Sequence, residues 1–208
     1  EVLEVGCGWG GFAEAAADQG RNVTGITISP SQKGYADARL DGRAEIRLQD
    51  YRDTQGRFDA LVSIEKVEAV GQRYWPTYFA MLRDRLKPEG RAVVQAITVP
   101  DKGFEKYRKG SDYIRHYTFP GGMLLSDNSI RAQASQAGLV VRDSHAFGQD
   151  YAKTCRAWAL RVEEAVPRIR KLGYGEPFLR NWRYYLAICA ASFATGRADV
   201  VQVELSHA

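Results

Sequence analysis

The chain has 208 residues, 45% hydrophobic and 26% charged, a balance that supports one folded domain and excludes disordered, collagenous and fibrous classes. Its 29 Lys and Arg against 25 Asp and Glu leave a net charge of +4, a mild bias toward anionic partners without the basic stripe of a nucleic-acid binder. No apolar run approaches the ~20 residues of a membrane span, and Cys7, Cys155 and Cys189 lie far apart without a Cys-x-x-Cys or His cluster. That spacing excludes a disulfide framework and a zinc site and fits a reducing, cytoplasmic compartment.

In chain order, residues 1–5 read as a strand that begins at once, with no initiator Met, so residues upstream are expected. A glycine turn follows, then an Ala-rich helix over 12–19 closed by Gly20. Residues 22–28 alternate as a second strand, and Ser29-Pro30 caps a helix that runs to about Leu40. Strands are expected at 44–48 and 59–64, a helix over 74–86 that stops at Lys87-Pro88-Glu89-Gly90, and a buried strand over 91–99. Alternating strands and helices predict a doubly wound, mostly parallel α/β sheet, which binds ligands beyond the carboxyl ends of its strands. Over 101–119 the pattern breaks into aromatics interleaved with five bases, an insertion or cap rather than a sheet element. A helix over 126–137, a short strand at 139–141, long helices over 151–169 and 177–195, and a last strand at 200–205 complete the chain.

Gly6, Gly8 and Gly11 form G-x-G-x-x-G directly after a strand and before a helix, the context for close backbone approach to a nucleotide-type ligand. A dinucleotide site would place an acid at the end of the second strand. That strand ends Thr27-Ile28-Ser29, which argues against NAD.

The blocks Val2-Leu3-Glu4-Val5-Gly6-Cys7-Gly8-Trp9-Gly10-Gly11, Gly25-Ile26-Thr27-Ile28-Ser29, Leu48-Gln49-Asp50-Tyr51-Arg52-Asp53, Phe119-Pro120-Gly121-Gly122, Tyr184-Tyr185-Leu186 and Val201-Gln202-Val203 resemble the cyclopropane-fatty-acyl-phospholipid synthase family, relatives of the mycolic acid cyclopropane synthases. The resemblance runs in order along nearly the whole chain. It implies a class I S-adenosylmethionine (SAM) methyltransferase with a seven-stranded sheet. A helical and aromatic cap would follow the fifth strand. One domain is expected over 1–208, with a SAM-binding half at 1–100, cap and helices at 101–198 and a final strand at 199–208. The family's N-terminal segment, which helps close the SAM site, does not stand in these residues. The implied reaction moves a methyl or methylene group from SAM to the cis double bond of an unsaturated acyl chain of a phospholipid. It passes through a carbocation and yields a cyclopropane or methyl-branched chain. Two alternatives stand beside it: a SAM methyltransferase for another hydrophobic small molecule, and a non-catalytic lipid- or SAM-binding fragment.

Carried over by position, the resemblance sets Gly6, Gly8 and Gly10 against the amino-acid part of SAM. Thr27 and Gln32 fall at the ribose, Gln49 and Asp50 at the adenine. It also implies a bound bicarbonate as the base, held by Cys7, Glu68, Tyr151 and the backbone of Ile97. The family's His position carries Gln95, which can hydrogen-bond an anion but cannot relay a proton. Lys66 stands where an apolar residue is usual. Read without the resemblance, Cys7 is a buried filler, Glu68 a surface charge, Tyr151 a core ring, Thr27 an ordinary strand residue and Gln32 a solvated helix residue. Residues 102–119 suit either an anionic membrane surface, with the protein peripheral at the inner face, or a second small core. No metal or nucleic acid is implied, and a homodimer is left open.

Overall fold

A computed structural model describes residues 1–208. Seven strands form one sheet: β1 (Val2–Val5), β2 (Val23–Thr27), β3 (Glu45–Leu48), β4 (Phe58–Ile64), β5 (Leu86–Thr98), β6 (Leu139–Ala146) and β7 (Asp199–His207). Their order is β3-β2-β1-β4-β5-β7-β6. The five strands from β3 to β5 run parallel, and β7 inserts antiparallel between β5 and β6. Helices cover both faces, giving the doubly wound, mostly parallel architecture of class I SAM methyltransferases.

Alternation along the strands sorts side chains between the faces. Leu3, Val5, Leu61, Val94, Val203 and Leu205 join the main core. Into it α3 (Trp75–Arg85) sends Tyr78, Phe79 and Leu82, and α5 (Asp127–Gln136) sends Ile130 and Ala134. A separate cluster forms where α1 (Gly11–Asp18) and α2 (Pro30–Leu40) pack, with Ala13, Ala36, Leu40, Val23 and Ile46. A third joins α6 (Gly148–Lys171) and α7 (Glu176–Ala194) to β7 through Cys155, Phe193 and Val200.

Local chemistry sets the boundaries. Gly20 (φ 74°) follows α1, with its N–H on Ala17 O at 2.8 Å and that of Arg21 on Ala16 O at 3.1 Å, a Schellman-type close. Ser29 accepts from Gln32 N–H ahead of α2. The expected stop at residues 87–90 lies inside β5 as an irregularity: Phe58 pairs with Leu86 but Ala60 with Arg91. Residues 101–119 hold α4 (Asp101–Lys109) and a π-helical turn, Ile114–Thr118. Within residues 101–198, α5 and β6 return the chain to the sheet. β6 is also longer than the expected three residues.

Candidate active site

Four parallel strands deliver the site at their carboxyl edge. After β1 the backbone turns through Gly6 (φ 82°) and Gly8 (φ 54°), and the N–H groups of Gly6 and Cys7 donate to Ile26 O at 3.0 and 2.9 Å. The turn walls a cavity of about 460 Å³, which also takes in Thr27 from β2, Gln49 and Asp50 after β3, and Glu65 and Lys66 after β4. A Cβ on Gly8 would project into open space, with nothing within 4 Å. The missing side chain therefore leaves room at the wall for a ligand to meet backbone.

Thr27 and Gln32 form one polar unit on that wall, the Thr27 hydroxyl donating to Gln32 Oε1 at 2.7 Å. Gln49 is fastened by its N–H to Thr27 O at 2.9 Å. Asp50 caps the short turn Tyr51–Asp53 and takes a two-pronged contact from Arg52 Nε and Nη2, at 2.9 and 2.8 Å. Hydrogen bonding to Arg52 holds the Asp50 carboxyl below its usual range, so it stays an anion with acceptor capacity left.

On the β4 side, a hydrogen-bond chain crosses three strands. Gln95 Nε2 donates to Glu65 Oε1 at 2.8 Å, and Gln202 Nε2 donates to Gln95 Oε1 at 3.0 Å. The Tyr151 hydroxyl, brought in by α6, donates to the same Glu65 oxygen. Burial and the Glu65 charge push the Tyr151 hydroxyl well above its ordinary range, so it remains a proton donor. Glu68 is buried and accepts from Ile97 N–H at 2.6 Å, while its Oε2 is buried with no partner. Desolvation raises its carboxyl to about 7.

Gln95 and Tyr151 thus meet at Glu65, Glu68 pairs with the Ile97 backbone, and Gly6, Gly8, Thr27, Gln32, Gln49 and Asp50 share the cavity wall. Two expected members do not. Cys7 is 4% exposed and packs with the α1 and α2 residues Ala13, Ala36 and Leu40, its Cβ 2.9 Å from where a side chain on Gly25 would begin. Its side chain packs as a buried filler, and desolvation lifts the thiol to about 11. Gly10 is buried, and a Cβ there would meet Ala36 Cβ at 3.1 Å, so its smallness serves the packing of α1 on α2.

Lys66 lies in the cavity wall, its stem against Gly6 with Cγ and Cδ 3.1 Å from the position of a Cβ there. Glu65, on which Gln95 and Tyr151 converge, is the residue of this cluster that the sequence reading did not single out. It carries a left-handed backbone (φ 52°) rare for a non-glycine residue, and its place at the carboxyl end of β4 was the one available signal.

The aromatic and basic segment divides. Phe104 stacks on Trp75 and Tyr107 packs against the main core, whereas Tyr117 and Phe119 are 66% and 52% exposed. Phe119 meets Tyr185 of α7 at 5.6 Å. Between α6 and α7 lies an apolar groove of about 290 Å³ floored by Trp158, Val162, Ile169, Trp182 and Leu186. No helix is long and apolar enough to cross a membrane.

A family model described as mycolic acid cyclopropane synthetase matches residues 1–203. The chain is similar to the tuberculostearic acid methyltransferase UfaA1 of Mycobacterium tuberculosis, 39% identical over 207 residues that cover 97% of this chain and 48% of that protein. It is also similar to the cyclopropane-fatty-acyl-phospholipid synthase of Escherichia coli, 40% identical over 209 residues, 99% of this chain and 53% of that one. The chain spans about half the length of these curated relatives. Among solved structures, the mycolic acid cyclopropane synthase CmaA1 complexed with SAH and CTAB superposes with a TM-score of 0.89 at 25% identity, over 98% of this chain and 76% of that one.

Proposed function

The chain belongs to the mycolic acid cyclopropane synthetase family, and on that premise we propose that the protein uses SAM to methylate or cyclopropanate the double bond of an unsaturated fatty acyl chain carried on a phospholipid. The observation that supports this reading best is the cavity at the sheet's carboxyl edge, open at Gly8 and bounded by the Glu65 carboxylate. A SAM-sized ligand fits its about 460 Å³, with Gly6 and Gly8 offering backbone, Thr27 and Gln32 polar groups, and Asp50 an acceptor.

Bound SAM supplies an electrophilic methyl group. An alkene has nothing to deprotonate beforehand, so the chain's own part is to hold the acceptor in line at close range and to exclude water. Attack leaves positive charge on the acyl chain. Glu65 supplies an anionic edge to the site, and the rings of Tyr151 and Tyr185 offer aromatic faces. The acyl chain approaches along α7, past Phe119 and Tyr185, with the groove between α6 and α7 as its apolar bed. The protein works peripherally at the inner membrane face, with Lys102, Lys106 and Lys109 of α4 directed to anionic head groups.

Incubation with isotope-labelled SAM and vesicles of unsaturated phospholipid should yield heavier acyl chains by mass spectrometry, by one methylene for a cyclopropane and likewise for a methylene branch, which chromatography separates. A protein that binds SAM yet labels only soluble acceptors, indifferent to vesicles, would overturn the lipid assignment.

A further inference from the structure

Two of the side chains expected at a bicarbonate, those of Gln95 and Tyr151, already grip a carboxylate of the chain itself. Gln95 Nε2 and the Tyr151 hydroxyl both donate to Oε1 of Glu65, and Cys7 sits in a different core. The residues present therefore do not fit a bound bicarbonate. We propose that Glu65 stands in its place, a built-in carboxylate that serves as the base of the reaction; this rests on the acyl-modifying function above.

Three observations support the assignment. Glu65 lines the same cavity as Gly6 and Gly8, which sets it beside the space assigned to SAM. Its main chain is held as firmly as its side chain: Glu65 N–H donates to Gln95 O at 2.9 Å, across from the Gln95 amide that binds its carboxylate. A left-handed backbone at a non-glycine residue persists where its surroundings over-determine it, and such residues gather at functional sites. Both donors use Oε1, which leaves Oε2 without a hydrogen-bond donor and able to take up a proton.

The balance closes without a further reagent. Transfer breaks the carbon–sulfur bond, its electron pair staying on sulfur, and the alkene π pair forms the new carbon–carbon bond. The second alkene carbon is left cationic. Glu65 then removes a proton from the transferred methyl group. The released C–H pair closes the third bond of a cyclopropane; alternatively a hydride first shifts from the methyl-bearing carbon to the cationic one, and the same proton removal then gives an exocyclic methylene. Glu65 ends as a neutral acid and returns its proton to solvent.

Substituting Glu65→Gly suits the left-handed backbone and empties the space before Gln95 and Tyr151, whereas Glu65→Gln keeps the volume and removes the base. With unsaturated phospholipid vesicles in carbonate-free buffer, the unaltered protein should turn over at a rate that added bicarbonate leaves unchanged. Both variants should lose about a hundredfold or more, and bicarbonate should restore at least tenfold to Glu65→Gly alone. Carbon-13 bicarbonate should show binding by NMR to Glu65→Gly and none to the unaltered protein, and SAM affinity by calorimetry should stay within threefold in all three. Bicarbonate binding or activation in the unaltered protein, or full turnover by Glu65→Gln, would overturn the proposal. If the unaltered protein labels no vesicle lipid, the acyl-modifying function fails, and the bicarbonate-binding comparison still decides whether Glu65 fills that place.

Discussion

Gly8 and Gly10 share a left-handed backbone but answer to different neighbours, open cavity for one and the α2 residue Ala36 for the other. Alanine at either position costs about 1–2 kcal/mol of backbone strain. Gly8→Ala should in addition weaken SAM binding tenfold or more by calorimetry, while Gly10→Ala should lose further thermal stability, from the clash with α2, at nearly unchanged affinity per folded molecule. Glu68→Gln keeps an oxygen for Ile97 N–H and removes the titration. Its turnover should fall far more than its SAM affinity, and unchanged turnover would reduce Glu68 to a buried strut. Most of the site was legible as motif, because loop glycines and polar strand ends stand in order along the chain. The packing of Cys7 against α1 and α2 was not legible, since lying within the motif says nothing of which face of the sheet a side chain takes. Glu65 was hidden for a related reason: its role depends on a backbone turn that glutamate rarely adopts.

At the scale of elements, the start of α5 offers a clean test. Ser126 and Ser129 form a reciprocal capping box, each side chain bonded to the other's N–H. Ser126→Ala should cost about 1 kcal/mol and lower the melting temperature by about 2–4 °C, with no change in SAM affinity. That cap was legible from sequence, as was the alternation of strands and helices through β5. The extent of β6 was not. Its later residues Arg142, Asp143, Ser144 and His145 are exposed on an edge strand, so no buried face imposes alternation on them. Residues 101–119 resisted reading because α4 commits only Phe104 and Tyr107 to the main core, too few to print a helical period.

At the scale of the whole molecule, two buried acids tie folding to pH. Burial lifts Glu4 of β1 from 4.5 to about 8, and Glu68 to about 7. Unfolded, both ionise near 4.5, so between that value and the folded values the native state holds more protons than the unfolded one. The stability these two acids contribute is therefore fullest below about 4.5 and is lost as pH rises toward 8. The fall approaches about 1.4 kcal/mol per pH unit for each acid while it alone is differentially protonated. Denaturant melts from pH 5 to 8 should show this decline, and Glu4→Gln, isosteric with the protonated acid, should flatten the part that reaches to pH 8. A stability that rises over that interval would mean the acids are ionised in the fold.

The chain of side chains from Gln202 through Gln95 to Glu65 has a fixed polarity. An ionised carboxylate can only accept, so Gln95 must turn its amino end toward Glu65 and its carbonyl toward Gln202, which in turn must present its own amino end. Each amide is thereby locked into one of its two flips by a charge at the far terminus. A residue on β7 thus sets which end of the Gln95 amide meets Glu65, so that a side chain two strands away from β4 orients a donor at the sheet's carboxyl edge.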